Sequence, residues 1–418
     1  MVPEGWHIYK LGDLGCGSRP AVKAGPFGSS LKKYFYVSEG YKIYGQEQVI
    51  KNDAFYGDYF INEGKFAELE SCSVLPGDIL VSLVGTLGKI LLIPNNASKD
   101  IINPRLIRIS PDKNKTEPLY LKYYLEDKWT QNLLLRRAQG GTMGVLNAGV
   151  FKSLPLLLPP LCEQFEIAQI LSTWDKAIET TEKLIDNSKA QRKALMQQLL
   201  TGKRRFPEFS NKWVKTRLCY IAYINPCKPE KPEDEQVSFV SMDSVSEHAR
   251  LLRFENRQYS EVEKGFTSFI NNDVLVAKIT PCFENGKGAY AKELTNGIGF
   301  GSTEFHVIRA KNGICSKLIY HITNSFEFRF HGRANMQGSA GHKRVPTDYL
   351  RLYKFYWPVD FKEQTKIANM LDTVASEIEF LSNETAALTN QKKALMQQLL
   401  TGKYRVKVDN LRTTEVTA

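Results

Sequence analysis

Apolar residues recur at alternating steps of four and three along two stretches of the chain. The first stretch has them at positions 167, 171, 174, 178, 185, 195 and 199, and the second has them at positions 367, 371, 374, 378, 381, 388, 395 and 399. This alternation is the seam of a coiled coil, and no proline interrupts either stretch. The pattern therefore predicts two helices of about 37 residues, each a rod of about 55 Å at about 1.5 Å per residue.

The two stretches also share their sequence. KALMQQLLTGK fills Lys193–Lys203 and returns unchanged at Lys393–Lys403, and the pair Glu-Gln at 163–164 recurs at 363–364. A glycine follows each helix at a position that suits a left-handed C′ residue. Because an entire domain separates the two copies, we expect the helices to pack antiparallel.

The apolar face widens near the end of each helix. A two-stranded seam needs one apolar residue per step, so the extra width predicts contact with helices of a partner protein. A broader contact within this chain fits the pattern equally well. The residues concerned are Leu195, Met196, Leu199 and Leu200 in the first helix and Leu395, Met396, Leu399 and Leu400 in the second.

The segments outside the helices are distant copies of each other. PGDILVSLVG at 76–85 matches NNDVLVAKIT at 271–280, and each is followed by a strand containing arginine and by a glycine-rich loop. Short strands, turns and few helices predict an α+β fold: two pseudo-symmetric domains joined by two long antiparallel coiled-coil helices. The predicted boundaries are a first head (1–157), a first helix (158–205), a second head (206–357), a second helix (358–405) and a tail (406–418).

Composition narrows the class of protein. The chain has 418 residues, of which 42% are hydrophobic and 24% charged, which is typical of a globular protein. No apolar run is long enough to span a membrane, and the N-terminus lacks the features of a signal peptide. Seven cysteines without a C-x-x-C favour neither disulfides nor a zinc ribbon, and fit the cytoplasm. The net charge of +11 favours a polyanionic partner such as nucleic acid.

Catalytic motifs are missing from the sequence. The six histidines have no metal-binding spacing, and there is neither a phosphate-binding loop nor a G-x-S-x-G elbow. The [ND]-P-P-[YFW] motif of adenine methyltransferases is also absent. We therefore assign no catalytic residue, metal ligand or cofactor to this chain. A nuclease that uses Asp78 is the enzyme alternative.

Polar and basic loops supply candidate DNA contacts. Glycines let a backbone approach phosphates, hydroxyls and lysines bind them, and Arg, Asn and Gln read base edges. Each loop taken alone also fits a hairpin turn with solvated charge. The candidates in the first head are Gly28, Ser29, Ser30, Lys32, Lys33, Thr86, Lys89, Gln139 and Thr142. Those in the second head are Lys278, Arg333, Asn335, Gln337, Lys343 and Arg344.

The repeated helices carry a family resemblance. Each begins with E-Q-x-x-I-A after a proline-bearing strand and ends with L-M-Q-Q-L-L-T-G-K, and the first head contains GPFGSSLK. This arrangement resembles the specificity (S) subunit of Type I restriction-modification enzymes over nearly the whole chain.

The resemblance implies a division of labour. Each head would be a target recognition domain that reads one half of a bipartite site in double-stranded DNA. The helices would set the gap between the halves and bind two methyltransferase (M) subunits, which use S-adenosylmethionine to modify adenine at N6. Restriction (R) subunits would add an ATP- and Mg²⁺-dependent nuclease. The rival class is a coiled-coil scaffold whose heads bind proteins, although such a scaffold requires no basic charge.

Overall fold

The computed structural model describes residues 2–17, 19–83, 86–137, 146–339 and 341–407. The chain forms two compact units: Met1–Thr181 with Glu384–Ala418, and Glu182–Asn383. Each unit thus contains one head, half of one long helix and half of the other. The predicted domain boundaries treat the helices as separate segments and stay a prediction.

The first unit is built on a four-stranded antiparallel sheet and a second, five-stranded sheet. Its strands are β1 (His7–Lys10), β2 (Val22–Ala24), β3 (Tyr36–Val37), β4 (Tyr41–Tyr44), β5 (Phe60–Ile61), β6 (Ser73–Val74), β7 (Ile79–Ser82), β8 (Ile90–Leu92), β9 (Asp100–Ile102), β10 (Leu106–Ile109) and β11 (Pro155–Leu158). Its helices are α1 (Gln46–Lys51), α2 (Glu63–Glu68), α3 (Pro118–Glu126), α4 (Lys128–Arg137), α5 (Ala148–Lys152) and the first half of α6 (Leu161–Leu199). The strand orders are β2-β10-β7-β8 and β3-β5-β4-β9-β6, and β1 pairs with β11.

Strand β7 is apolar at consecutive positions because both of its faces are covered. Ile79 and Val81 lie in the core that also contains helix α3, whereas Leu80 lies in the core shared with Ile102 of the second sheet. A strand that is covered on both faces cannot alternate apolar and polar residues. The apolar run ILV therefore marks the centre of the head.

The second unit repeats this architecture, except that its second sheet has four strands. Its strands are β12 (Val214–Arg217), β13 (Ala222–Ile224), β14 (Gln236–Val240), β15 (Glu255–Gln258), β16 (Thr267–Ile270), β17 (Val274–Ala277), β18 (Gly288–Tyr290), β19 (Ile298–Gly301), β20 (Phe305–Ala310) and β21 (Lys354–Trp357). Its helices are α7 (Leu218–Ile221), α8 (Tyr259–Val262), α9 (Ser316–Thr323), α10 (Phe326–Ala334), α11 (Thr347–Leu352), the second half of α6, and the first half of α12 (Phe361–Leu399). The strand orders are β13-β20-β17-β18 and β15-β14-β19-β16, and β12 pairs with β21. The predicted α+β class and the internal repeat are confirmed.

Helices α6 and α12 have 39 residues each and confirm the predicted seam. Ile167 and Leu171 are fully buried and every other seam position is at least partly buried, whereas Leu184, which lies off the seam, is 48% exposed. In the first unit, Asp175 of α6 binds Lys392 of α12 at 2.5 Å. The beginning of α6 meets residues that follow α12, so the helices are antiparallel, as predicted.

A glycine ends each long helix. Gly202 and Gly402 have φ angles of +70° and +68°, the left-handed conformation expected of a C′ residue. A Cβ at Gly402 would lie 2.5 Å from the Pro3 side chain, and one at Gly202 would lie 3.2 Å from the Trp213 ring. Both the backbone conformation and the close packing therefore favour glycine.

Candidate nucleic-acid interface

Strand register gathers three loops of the first head at one end of its four-stranded sheet. Ala24 pairs with Ile107, and Leu106 pairs with Ser82, so the C-terminal ends of β2 and β7 meet the N-terminal end of β10. The β8 strand begins beside the end of β7 in the same way. We call this end the first loop edge; it comprises 25–35, 83 with 86–89, and 103–105.

Most candidates of the first head belong to this edge. Gly28–Ser30 form a single 3-10 turn, and Lys32 and Lys33 follow it, with both lysines exposed. Thr86 and Lys89 are also exposed. Gln139 and Thr142 lie outside the described residues. Arg105, which is not among the predicted candidates, is exposed on this edge at the start of β10. The pairing of β7 with the strand RLIRI could have located it.

Backbone contacts fix these loops in place. The Gly25 N–H donates to Leu106 O at 3.0 Å, and a Cβ at Gly25 would lie 1.9 Å from Asn103 O. Only glycine allows this approach, which holds the GPFGSSLKK loop against the neighbouring turn. The Lys89 N–H donates to Ser82 Oγ at 3.0 Å, so the backbone of Lys89 is held while its side chain stays exposed.

The second head has the matching edge. Ala277 pairs with Phe305, and Val276 with Gly288, so 225–235, 278–287 and 302–304 lie at the same end of the equivalent sheet. We call this the second loop edge. The Lys278 N–H donates to Glu304 O at 2.9 Å, as the Leu83 N–H donates to Arg105 O at 3.0 Å. Glu304 therefore takes the position in the second head that Arg105 takes in the first.

The glycine-rich loop of the second head is attached to this edge. Gln337 and Arg344 exchange two backbone hydrogen bonds of 2.9 and 2.8 Å, and the Val345 N–H donates to Lys278 O at 2.8 Å. Lys278, Gln337, Lys343 and Arg344 are thereby brought together. Arg333 lies in the last turn of α10, at the start of this loop.

Two of these candidates already have partners in the chain. The amide nitrogen of Asn335 donates to His331 O at 2.8 Å, which caps helix α10. Arg344 donates from Nε and Nη2 to the Glu304 carboxylate, with distances of 2.8 to 3.1 Å. These hydrogen bonds lower the pKa of Glu304. Burial lowers the pKa of Lys278; the charge of Glu304 opposes this shift, and the charge of Arg344 adds to it.

The surroundings of Asp78 exclude its use as a nuclease carboxylate. Its carboxylate is 3% exposed and accepts two hydrogen bonds from Arg19, of 3.0 and 2.8 Å, and one of 2.7 Å from Ser110. Asp273 of the second head is held by Arg309 in the same way, at 2.9 and 2.7 Å. A carboxylate enclosed by such donors stabilises the core and has no room for substrate. Across the described ranges, no group of three or more His, Cys, Asp or Glu residues could hold a metal ion.

The widened apolar face of the helices is covered within the chain. Met396, Leu399 and Leu400 belong to the core of the first unit, and Leu199 belongs to that of the second. Leu195, Met196, Leu200 and Leu395 are partly buried against the same cores. The side chains of the four buried residues fill this chain's own cores, which favours the alternative of a broader contact within the chain; their role in partner binding stays a prediction. The exposed residues of the repeated run are Lys193, Ala194, Gln197, Gln198, Thr201 and Lys203, and their copies at 393, 394, 397, 398, 401 and 403.

The repeated Glu-Gln pair has a role that the sequence did not reveal. Glu163, at the start of α6, accepts from Arg405 at 2.8 and 2.9 Å and from the Trp6 indole at 3.2 Å. In the second unit, Glu363 binds Arg205 at 2.9 Å and the Trp213 indole at 3.2 Å. We call each set a carboxylate clamp. The clamps explain why the tryptophan of each head and the start of each helix recur together.

No helix in the described part of the chain is long and apolar enough to cross a membrane.

Comparison with known proteins identifies a common family. Residues 3–187 match the model of the Type I restriction modification DNA specificity domain. The chain is 31% identical over 288 residues to the Type I restriction enzyme EcoAI specificity subunit of Escherichia coli, covering 66% of this chain and 48% of that protein. It is 36% identical over 217 residues to the EcoEI specificity subunit of the same species, covering 50% of this chain and 34% of that protein. The matches thus span about half and about a third of these two relatives.

A solved structure shares the fold. The crystal structure of the Type-I restriction-modification system S subunit from M. genitalium matches with a TM-score of 0.57 and 14% identity. The match covers 94% of this chain and 96% of that one. At this identity the likeness shows the arrangement of the elements and leaves the chemistry of the loops to be argued from this chain.

Proposed function

The chain belongs to the family of Type I restriction-modification specificity subunits, and from this premise we propose that it is the DNA-reading subunit of such a complex. Each head reads one half of a bipartite, asymmetric site in double-stranded DNA. The chain carries out no reaction itself. It holds two adenine-N6 methyltransferase subunits and the restriction subunits on the DNA, in the cytoplasm.

The observation that carries this proposal is the equivalence of the two loop edges. Register places exposed basic and polar residues at the same end of two matching sheets, including Lys32 and Lys33 in the first head and Lys343 in the second. Cations on loops suit the phosphate backbone, whose neutralisation supplies most of the non-specific affinity of DNA-binding proteins. The net charge of +11 is consistent with the same partner.

The differences between the two loop edges support recognition of a different DNA sequence by each head. Arg105 of the first head and Glu304 of the second occupy the same place at the start of matching strands. The side chains offered to a base edge therefore differ: the first edge presents Arg105, whereas at the second edge Glu304 is paired with Arg344. We therefore propose that the two half-sites differ in sequence.

The long helices, and not the heads, provide the surface that we propose for the methyltransferase subunits. Exposed Gln197 and Gln198 and their copies Gln397 and Gln398 present the same polar surface twice. We propose that each copy contributes to binding one methyltransferase subunit, and that the helices set the gap between the half-sites. S-adenosylmethionine would be bound by the methyltransferase subunits, and ATP with Mg²⁺ by the restriction subunits.

Binding to mixed-sequence duplex DNA at two salt concentrations tests this proposal. We expect the full-length chain with its methyltransferase partner to bind, and the affinity to fall steeply between about 50 and 200 mM salt. A scaffold whose heads bind proteins would show no such affinity. Weak binding that ignores the salt concentration would reject DNA reading in favour of the scaffold.

A further inference from the structure

The ion pair at the second loop edge constrains how Arg344 can meet DNA. Glu304 occupies Nε and one hydrogen of Nη2, at 2.8 to 3.1 Å. A guanidinium has five N–H donors in a planar fork, so the hydrogens at its far end, on Nη1 and the outer side of Nη2, point away from the carboxylate. Nη1 makes one long contact of 3.3 Å with His342 O.

The backbone beneath Arg344 is held from both sides. Gln337 bonds it on one side, and on the other Thr280 N–H donates to Lys343 O at 2.9 Å. Buried His306 adds a contact of 2.8 Å between its Nε2 and Val345 O. The Arg344 side chain is nevertheless 47% exposed. The free end of the fork is thus presented to solvent in a fixed position, and little side-chain entropy is left to lose on binding.

The charge of Arg344 is largely cancelled by Glu304. An arginine paired with a carboxylate attracts a phosphate weakly, because the carboxylate repels the same anion. A base edge carries no net charge, so the carboxylate does not oppose contact there. Guanine presents two acceptors, O6 and N7, in the major groove, and arginine fits them with two parallel hydrogen bonds.

We propose that Arg344 reads one guanine in the half-site of the second head, donating from Nη1 and Nη2 to O6 and N7, and that Glu304 is the positioning residue that exposes this end of the fork. The inference rests on the proposed function, since it requires that the second loop edge faces DNA. Lys343 is the matched contrast: it is exposed and adjacent, and a single ammonium suits a phosphate.

Mapping of N6-methyladenine in cells that carry the complete system tests the proposal. The variants are Arg344→Gln, Arg344→Lys, Glu304→Gln and, as the control, Lys343→Gln. Both Arg344 variants should lower the preference for guanine at one position of one half-site about tenfold or more, because neither glutamine nor lysine can match the fork. Glu304→Gln should weaken the same preference by a smaller factor. Lys343→Gln, which removes a proposed phosphate contact, should lower methylation at all sites alike and change the preferred base at no position of the motif.

The outcomes separate this inference from the proposed function. A wild-type chain that yields no bipartite motif contradicts the proposed function. A bipartite wild-type motif that stays unchanged in both Arg344 variants overturns the guanine assignment alone. Loss of all methylation in both Arg344 variants also overturns it, since a base-reading residue changes the preferred sequence. An effect of Glu304→Gln on a different position would remove Glu304 from its positioning role.

Discussion

The carboxylate clamp of the first unit predicts an unequal response to the loss of its two members. The Glu163 carboxylate is 3% exposed, whereas the Arg405 side chain is 44% exposed. Arg405→Ala leaves a buried charge whose remaining side-chain donor is the Trp6 indole at 3.2 Å. Glu163→Gln leaves a cation that can turn to water. Removal of the arginine should therefore destabilise the unit more than removal of the carboxylate charge.

The expected loss of stability in each variant follows from how deeply the two side chains of the pair are buried. Removing one partner of a buried ion pair costs about 3–5 kcal/mol, and the exposure of Arg405 places this pair at about 3 kcal/mol. Glutamine keeps the volume and one acceptor, so Glu163→Gln loses the charge-assisted part of the hydrogen bonds, about 1–2 kcal/mol. The difference of about 1–2 kcal/mol corresponds to about a tenfold change in the equilibrium for local opening.

Amide hydrogen exchange of the full-length chain measures that equilibrium. Peptides from 161–175 and 392–405 should exchange faster in Arg405→Ala than in Glu163→Gln. Arg205→Ala is the matched control: it removes the arginine of the other clamp, whose Glu363 is fully buried, and should accelerate exchange in the second unit only. Equal protection in the two variants of the first clamp, or less protection in Glu163→Gln, would refute the reasoning.

Three further predictions concern charge and assembly. Burial lowers the pKa of His321 below its ordinary 6.5 despite the hydrogen bond to Asp372. As the pH falls, the imidazole of the unfolded chain therefore takes up a proton at a higher pH than that of the folded chain. The unfolding free energy of the second unit should therefore fall as the pH drops from about 6.5 to 5.5, as denaturant titration would show, and a flat profile would contradict it. Replacing Lys32 and Lys33 by glutamine should reduce the slope of log affinity against log salt by about one per residue, and an unchanged slope would exclude phosphate contacts. Glutamate at the exposed glutamines of the repeated run in one helix should leave one methyltransferase subunit bound instead of two, as native mass measurement would show, whereas two retained subunits would place the binding surface elsewhere.

The long helices could be predicted because their signal is local. A seam of apolar residues depends on the period of the α-helix, and 39-residue helices at Leu161–Leu199 and Phe361–Leu399 follow it. The heads were recognisable as related α+β domains because ILVS and VLVA form the same central strand. Only the structure shows that both faces of that strand are covered.

Two side-chain contacts on which the proposals and predictions rest join residues far apart in the sequence. Glu304 and Arg344 are 40 positions apart, and Glu163 and Arg405 are 242 apart, so no local pattern announces either pair. The apolar end of each helix shows the same limit of a sequence pattern. The periodicity predicts that Leu399 packs against other apolar residues, and the structure shows that these residues form the core of the first unit. The strand register of the folded chain shows that the candidate loops lie together at one end of each sheet.

Methylation mapping of single-head variants tests most directly whether the two heads read the two halves of one DNA site independently, as we propose. Arg105→Gln changes the first loop edge and Arg344→Gln the second. We predict a bipartite N6-methyladenine motif in which the first variant alters one half and the second variant alters the other. A continuous motif, or one in which both halves change together in either variant, would contradict it.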